Sequence, residues 1–183
     1  MSKITTKQIV FSAMAIALAT VICVAIKLPS LPNGGSVTLF SMLIICLIGY
    51  WYGPKVGIIA AITFGILQFI VGPYVVHPLQ VALDFPLAFG ALGLSGFFSN
   101  SKNGLIKGFI AGSMGRLLMH CISGVIFYTT YVGDIVGNAM AVWAGILYNM
   151  SYIIPEVVLT LVLLALPPVR KAFSELKRMA ISE

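Results

Sequence analysis

The chain has 183 residues, of which 60% are hydrophobic and only 9% are charged, with a formal net charge of +6. A soluble domain carries about 25% charged residues. This composition therefore excludes a soluble domain and indicates an integral membrane protein. The basic residues flank apolar runs and form no continuous patch, so we expect contact with the lipid bilayer and no nucleic acid. The length suits one domain, residues 1–183.

Six apolar runs predict an all-α bundle of six transmembrane helices, each long enough for most of a bilayer core. In chain order the predicted helices cover residues 9–26, 37–52, 56–71, 79–98, 105–131 and 139–166. Prolines and glycines separate them, and a basic amphipathic tail over residues 168–183 follows the last one. The two loops rich in glycine and proline, residues 28–35 and 72–78, are candidate lids.

The distribution of Lys and Arg predicts that both termini are cytoplasmic. Of the eleven basic residues, all except Lys27 and Arg116 lie before the first run, after an even-numbered run, or in the tail. Positive residues accumulate on the cytoplasmic side of membrane proteins. This predicts a multi-pass protein of the cell membrane.

The three cysteines are dispersed inside apolar runs at Cys23, Cys46 and Cys121. They are expected to be small packing residues, because neither a disulfide framework nor a metal site has such spacing. No cofactor is expected.

Four ionisable residues fall within the predicted spans, where each would be costly without a partner: Asp84, Arg116, His120 and Glu156. Arg116 and Glu156 lie at similar depth, so they are expected either to pair or to leave Arg116 free for an anionic ligand group. Asp84 and His120 lie nearer the outer surface. Structural alternatives for these two are a hydrogen bond between helices and a satisfied core histidine.

One face of the fifth predicted helix carries a polar stripe of Arg116, His120, Ser123, Gly124 and Tyr128. Further residues can converge on its outer end. They are Trp143, Tyr148, Asn149 and Tyr152 from the sixth helix, and Tyr74 and His77 from the loop above the fourth helix. Rings, an imidazole, an amide and a carboxylate together predict a pocket for a small, flat, polar and cationic ligand. For single aromatic residues, the alternative is core packing or an interfacial belt.

An intramembrane serine protease would also contain Ser and His. However, His120 and Ser123 are three residues apart on one helix, and no glycine shapes an oxyanion hole there. The chain is therefore not expected to be an enzyme.

The first predicted helix carries alternating alanines at Ala13, Ala15, Ala17 and Ala19. Small residues four apart permit close helix approach. They predict either packing within the chain or docking to another membrane subunit.

Three segments resemble the S components of energy-coupling-factor vitamin transporters, in particular their thiamine-specific branch. They are LPNGGSVTLFSML from Leu31, GPYVVHPLQVALDFPLAFGALGLSG from Gly72, and YNMSYIIPE from Tyr148. The resemblance implies a six-helix subunit that captures thiamine from outside. It also implies delivery in complex with a transmembrane coupling subunit and two cytosolic ATPases, while the S component itself hydrolyses nothing.

The resemblance also implies roles for individual residues. Asp84 would face the cationic thiazolium beside His120, with space for the ring at Gly124 and stacking on Tyr128. Asn149 would read the aminopyrimidine. Ala15 and Ala19 match the family's docking motif for the coupling subunit.

The sequence departs from the relatives at four places. They have Glu-Tyr at Asp84 and Phe85, lysine at Arg116, tryptophan at Tyr128 and tyrosine at Ala144. Loss of polar contacts leaves a thiamine precursor or another small vitamin as an alternative ligand. An autonomous facilitator that works without ATP is a further alternative.

Overall fold

The computed structural model describes residues 4–26, 31, 35–72, 75–132 and 138–182, without the side chains of residues 128–132, 138, 139 and 141. Over these residues the chain is all-α, as predicted. The helices of this described part are α1 Thr6–Ala25, α2 Ser41–Tyr52, α3 Pro54–Val71, α4 Pro78–Phe98, α5 Gly104–Val132, α6 Asn138–Ala165 and α7 Pro167–Ile181. The basic tail is thus a helix of its own.

Five described helices, α1 and α3 to α6, are long and apolar enough to cross a membrane. Helix α2 differs from the prediction because it begins at Ser41 and not at Val37, which leaves 12 residues. At 1.5 Å per residue it measures about 18 Å, well short of a hydrocarbon core of about 30 Å. Where six spans were predicted, the structure therefore has five candidate spans and one shorter apolar helix.

Helix α2 is the buried centre of the bundle. Its buried residues lie on all sides of the helix: Ser41, Met42, Leu43, Ile45, Cys46, Leu47, Ile48 and Gly49. A helix that is apolar all round belongs in a core. The surrounding helices instead expose large apolar side chains, such as Met14 at 64% and Val162 at 60%, which suits contact with lipid.

Both ends of the described chain lie at the same end of the bundle. Lys7 at the start of α1 donates from Nζ to the backbone oxygen of Ser182, beyond α7. Tyr52 at the end of α2 donates from Oη to the Ala180 oxygen (3.2 Å). Lys177 of α7 donates from Nζ to the oxygen of Ser99, just after α4 (2.6 Å). The helices consequently run up and down, with even-numbered ones returning to this end.

Helix α4 is irregular along its length. Leu83–Leu87 forms a π-helical turn that contains Pro86, and the Ala88 N–H donates to the Leu83 oxygen five residues back. Proline has no N–H and cannot complete the α-helical ladder, so the wider turn absorbs the defect. Asp84 lies in this turn. The remainder, Ala91–Phe98, is wound as a tight 3-10 helix.

Small residues let α4 pack closely against α2 and α3. A Cβ placed on Gly93 would collide with the backbone of Ile58, and one on Gly96 with the backbone of Gly53 and Pro54. Ser95 is buried and donates from Oγ to the Cys46 oxygen of α2 (2.8 Å). Such contacts between small residues are the usual means of helix association in membranes.

The alanines of α1 separate into two pairs. Ala15 and Ala19 are 8% and 0% exposed and pack inside the bundle, whereas Ala13 and Ala17 are exposed. The resemblance implies that Ala15 and Ala19 contact the coupling subunit. In the structure, these two residues already contact their own chain. Their buried positions follow from the need to bring α1 close to α2.

Gly93→Ala is predicted to destabilise the bundle, because the backbone of α3 cannot move away from the added methyl without opening the contact. We expect the free energy of unfolding to fall by about 1–3 kcal/mol. Gly72→Ala is the matched control, since a Cβ there meets open space. Both are measured by unfolding in detergent, and equal stabilities of the two variants would contradict the close packing of α3 and α4.

Candidate functional site

The Asp84 carboxylate receives hydrogen bonds from two helices. From α4 itself, Gln80 donates from Nε2 to Oδ2 (2.7 Å). From α5, Ser123 donates from Oγ to Oδ2 (3.0 Å), and His120 Nδ1 lies 3.0 Å from Oδ1. These donors satisfy much of the carboxylate, which is how a charge persists among apolar helices.

The hydrogen bonds of His120 define the tautomer of its ring. Arg116 donates from Nε to His120 Nε2 over 3.4 Å, which makes Nε2 an acceptor. Nδ1 then carries the proton and donates it to Asp84, because a neutral imidazole has one donor and one acceptor nitrogen. Arg116, His120 and Asp84 therefore form a chain of hydrogen bonds from a cation to an anion.

Arg116 is 7% exposed and packs against an aromatic ring. Its guanidinium carbon is 4.3 Å from the centre of the Phe89 ring, at cation–π distance. Within the described part of the chain, its Nη1 is buried without a hydrogen-bond partner. No ion pair within 4.0 Å joins Arg116 to Glu156 in that part, so the ion pair considered in the sequence analysis is not formed.

Glu156 instead caps the buried start of α2. One carboxylate oxygen accepts from the backbone N–H and the hydroxyl of Thr38 (3.2 Å each). The other accepts from Ser41 Oγ and the Met42 N–H (3.4 Å each). Phe40, the residue before the helix, makes no side-chain cap. A side chain from α6 thus satisfies N–H groups that a helix start leaves free.

Asn149 joins α6 to α5. Its Nδ2 donates to the His120 oxygen (3.0 Å) and the Gly145 oxygen (2.9 Å), and its Oδ1 accepts from Tyr152 Oη (2.6 Å). Gly124 serves this contact, because a Cβ there would lie 2.8 Å from Asn149 Nδ2. In the structure, the space beside Gly124 therefore accommodates the asparagine amide.

Tyr148 ties the first connecting loop to the cluster. Its Oη accepts from the Gly35 N–H (2.8 Å), and its ring packs edge-on against Tyr152 with centroids 5.7 Å apart. The Tyr152 ring in turn lies edge-on to the His120 ring at 6.1 Å. Aromatic faces and polar groups thus meet beside the loop that precedes α2.

The second connecting loop is tied in through Gln80 and His77. Gln80 is 1% exposed, and its Oε1 accepts from the Val76 N–H (3.2 Å). His77 caps α4 by accepting from the Leu79 N–H (3.1 Å), and its ring stacks on Phe127 of α5 at 5.4 Å. One glutamine therefore links the loop backbone to the Asp84 carboxylate.

Not every predicted site residue joins this cluster. Trp143 is 65% exposed on α6 and is not brought to it. Tyr74 and the side chain of Tyr128 lie outside the described residues. Asp84, Arg116, His120, Gly124, Tyr148 and Asn149 are brought together as described above.

Ser123 and His120 do not bond to each other in the described network. Both bond to Asp84, on different oxygens. A serine nucleophile needs its base within reach, so this arrangement lacks the geometry of a serine hydrolase.

The prediction from the sequence did not include Gln80. This residue lies four positions before Asp84 on the same helix, a spacing at which side chains meet. Thr38 and Ser41 were also missed. Their signal was weaker, because only the fold shows that the start of α2 is buried.

The geometry defines a multi-pass membrane protein whose apolar helices enclose a polar cluster suited to binding a small molecule. Residues 9–174 match the family model of the thiamine transporter protein family (Thia_YuaJ), and the chain belongs to this family of membrane transporters, which are not enzymes. The thiamine transporter ThiT of Bacillus subtilis is 32% identical over 152 residues, which are 75% of this chain and 77% of that protein.

A solved structure of ThiT from Listeria monocytogenes has a similar fold. Its TM-score is 0.61 at 21% identity, and the match covers 91% of this chain and 94% of that one. At this identity, the similarity supports the helical arrangement.

Glu156→Ala is predicted to lower the free energy of unfolding by about 2–4 kcal/mol, because it leaves buried N–H groups of Thr38 and Met42 without acceptors. Glu175→Ala is the matched control. Its carboxylate is half-exposed and pairs only with the exposed Arg178, so it should cost less than about 1 kcal/mol. Unfolding in detergent measures both, and similar losses would contradict a capping role for Glu156.

Proposed function

We propose that the chain is a thiamine-binding S component of an energy-coupling-factor importer, forming a single binding domain over residues 1–183. It captures the vitamin from outside and delivers it together with a transmembrane coupling subunit and two cytosolic ATPases. The ThiT relative and the family match support thiamine as cargo. The coupling to ATPases rests on the resemblance of the sequence to S components.

The observation that carries the proposal is the partly buried Asp84 carboxylate. Its hydrogen-bond partners among the described residues are Gln80, His120 and Ser123, none of which is a lysine or an arginine. A carboxylate to which no such basic side chain is bonded suits a ligand with a positive charge, such as thiazolium. Asp84 lies six residues after the start of α4, close to the second connecting loop. In a low-dielectric site this attraction favours a cation strongly.

The remaining parts of the cluster suit a flat heteroaromatic ligand. The Tyr148, Tyr152 and His120 rings lie close to one another and offer faces for stacking. Asn149 and Ser123 supply hydrogen-bonding groups beside them. A bound ligand would compete with the present partners of these groups, so some of the hydrogen bonds within the cluster would be exchanged for bonds to ligand.

The positive residues orient the subunit with both termini in the cytoplasm. The chain then crosses the membrane six times, with α2 and the loop before it forming one crossing together. Gly35 precedes α2 and bonds to Tyr148. It lies at the end of the bundle opposite to the end that contains Lys7 and Lys177. The cluster then lies on the outer side of the bundle. Docking of the coupling subunit is assigned to α1, where Ala13 and Ala17 are exposed beside the buried Ala15 and Ala19.

Asp84→Asn is predicted to weaken thiamine binding by about tenfold or more, because it keeps the shape of the side chain and removes its charge. Calorimetric titration of the purified protein measures this, with the neutral pyrimidine half of thiamine as comparison ligand. The pyrimidine half should lose much less affinity. Equal losses for both ligands would contradict the charge argument, and tight binding of the pyrimidine half alone would favour a precursor as cargo.

Uptake separates an S component from an autonomous facilitator. In a host without coupling and ATPase subunits, the chain should bind thiamine and accumulate none, and co-expression of those subunits should restore uptake. A Glu175→Ala variant, altered on the exposed tail, serves as a control for expression. Uptake without any coupling subunit would contradict the S-component assignment and leave thiamine binding intact.

A further inference from the structure

The cytoplasmic end of the bundle contains a cavity, far from the polar cluster. Its volume is about 710 Å³, within the range of ligand pockets. Four elements enclose it: the start of α1, the end of α2, the turn after α4 and the last turn of α7. Its lining includes Lys7, Trp51, Asn100, Lys177 and Ser182.

The described lining of this cavity is basic. It contains two lysines, Lys7 and Lys177, and no Asp or Glu. The first turn of α1 also faces it through Thr5 and Gln8, so the positive end of that helix dipole adds to the potential. Partial burial lowers the pKa of Lys177, a cost that an anion beside the ammonium group would offset.

Donors remain for a ligand at this cavity. Lys177 uses one Nζ hydrogen for the Ser99 oxygen and rests on the Tyr50 ring at 3.8 Å, and an ammonium group has three hydrogens. Lys7 donates from Nζ to the backbone oxygen of Ser182 and, over 3.3 Å, to its Oγ, which leaves one hydrogen for a ligand. The Trp51 ring lines the cavity, whereas its Nε1 atom is buried away from the cavity surface.

The position of the cavity indicates what would fill it. Trp51 and Tyr52 lie at the end of the bundle where the lysines gather, and such rings mark the headgroup layer of a membrane. The outer wall is α7, which keeps Val169 and Phe173 against the core and exposes Met179. A basic amphipathic helix with an exposed apolar flank is typical of one that lies in the membrane interface.

We propose that this cavity is a binding site for a phosphate-bearing anion, the headgroup of an anionic phospholipid of the inner leaflet. The phosphate lies between Lys7 and Lys177, beside the Trp51 ring. The bound headgroup joins α7 to α1 and α2 and holds the tail helix on the bundle.

The test compares lipid retention by the full chain in native mass spectrometry from detergent containing phosphatidylglycerol and phosphatidylcholine in equal amounts. The double variant Lys7→Gln with Lys177→Gln should lose its preference for phosphatidylglycerol by about tenfold or more, since each lysine near anionic lipid contributes. The matched control is Lys102→Gln with Lys107→Gln, which removes two exposed lysines of the same end outside the cavity. It should keep the preference, and so should Lys7→Arg with Lys177→Arg.

A second arm uses Trp51 as a reporter in a Trp143→Phe background, which leaves a single tryptophan. Phosphatidylglycerol should shift its emission, and soluble glycerol phosphate should not. If glycerol phosphate gives the same lysine-dependent shift, the anion is a free phosphate compound and the lipid assignment is overturned. Equal loss of lipid preference in the cavity and control variants, or no preference at all, would overturn the site itself.

Discussion

The fold depends on how the bundle accommodates a helix that is too short to cross it. Helix α2 has 12 residues and is buried on all sides, so its first turn starts inside the protein. Buried N–H groups at a helix start need hydrogen-bond acceptors. The Phe40 side chain has no acceptor atom, and a bundle that faces lipid offers little water to serve as one. Both carboxylate oxygens of Glu156, on α6, accept hydrogen bonds from this helix start. The short helix and the distant glutamate are therefore one structural unit.

This unit connects the first loop to the site. The chain segment before α2 is held at Thr38 by Glu156 and at Gly35 by Tyr148, and both partners belong to α6. The same helix carries Asn149, which bonds to the His120 oxygen of α5. A ligand that displaced Tyr148 or Asn149 would act on the loop and on the polar cluster through one helix. The first loop and the polar cluster are thereby connected through α6.

Much of the architecture could be predicted from the sequence, because apolar length and the positions of lysine and arginine are strong signals in membrane proteins. The polar stripe on α5 was also readable, since side chains four residues apart share a helix face. The contacts between helices were not. Arg116 and Glu156 lie at similar depth, yet they do not pair. Arg116 contacts Phe89 and His120, whereas Glu156 bonds to the start of α2. Depth alone cannot specify which direction a side chain takes around its helix axis.

The irregular path of α4 explains why its carboxylate can serve as the centre of the site. Pro86 removes one N–H from the helix, and the π-helical turn that results changes the direction of the residues around Asp84 relative to the 3-10 segment below. Below that turn, glycines fix α4 against α2 and α3 at the closest distance that backbones allow. Above it, Gln80 ties Asp84 to the Val76 backbone. Close packing below the turn and hydrogen bonds above it together hold the Asp84 carboxylate in place.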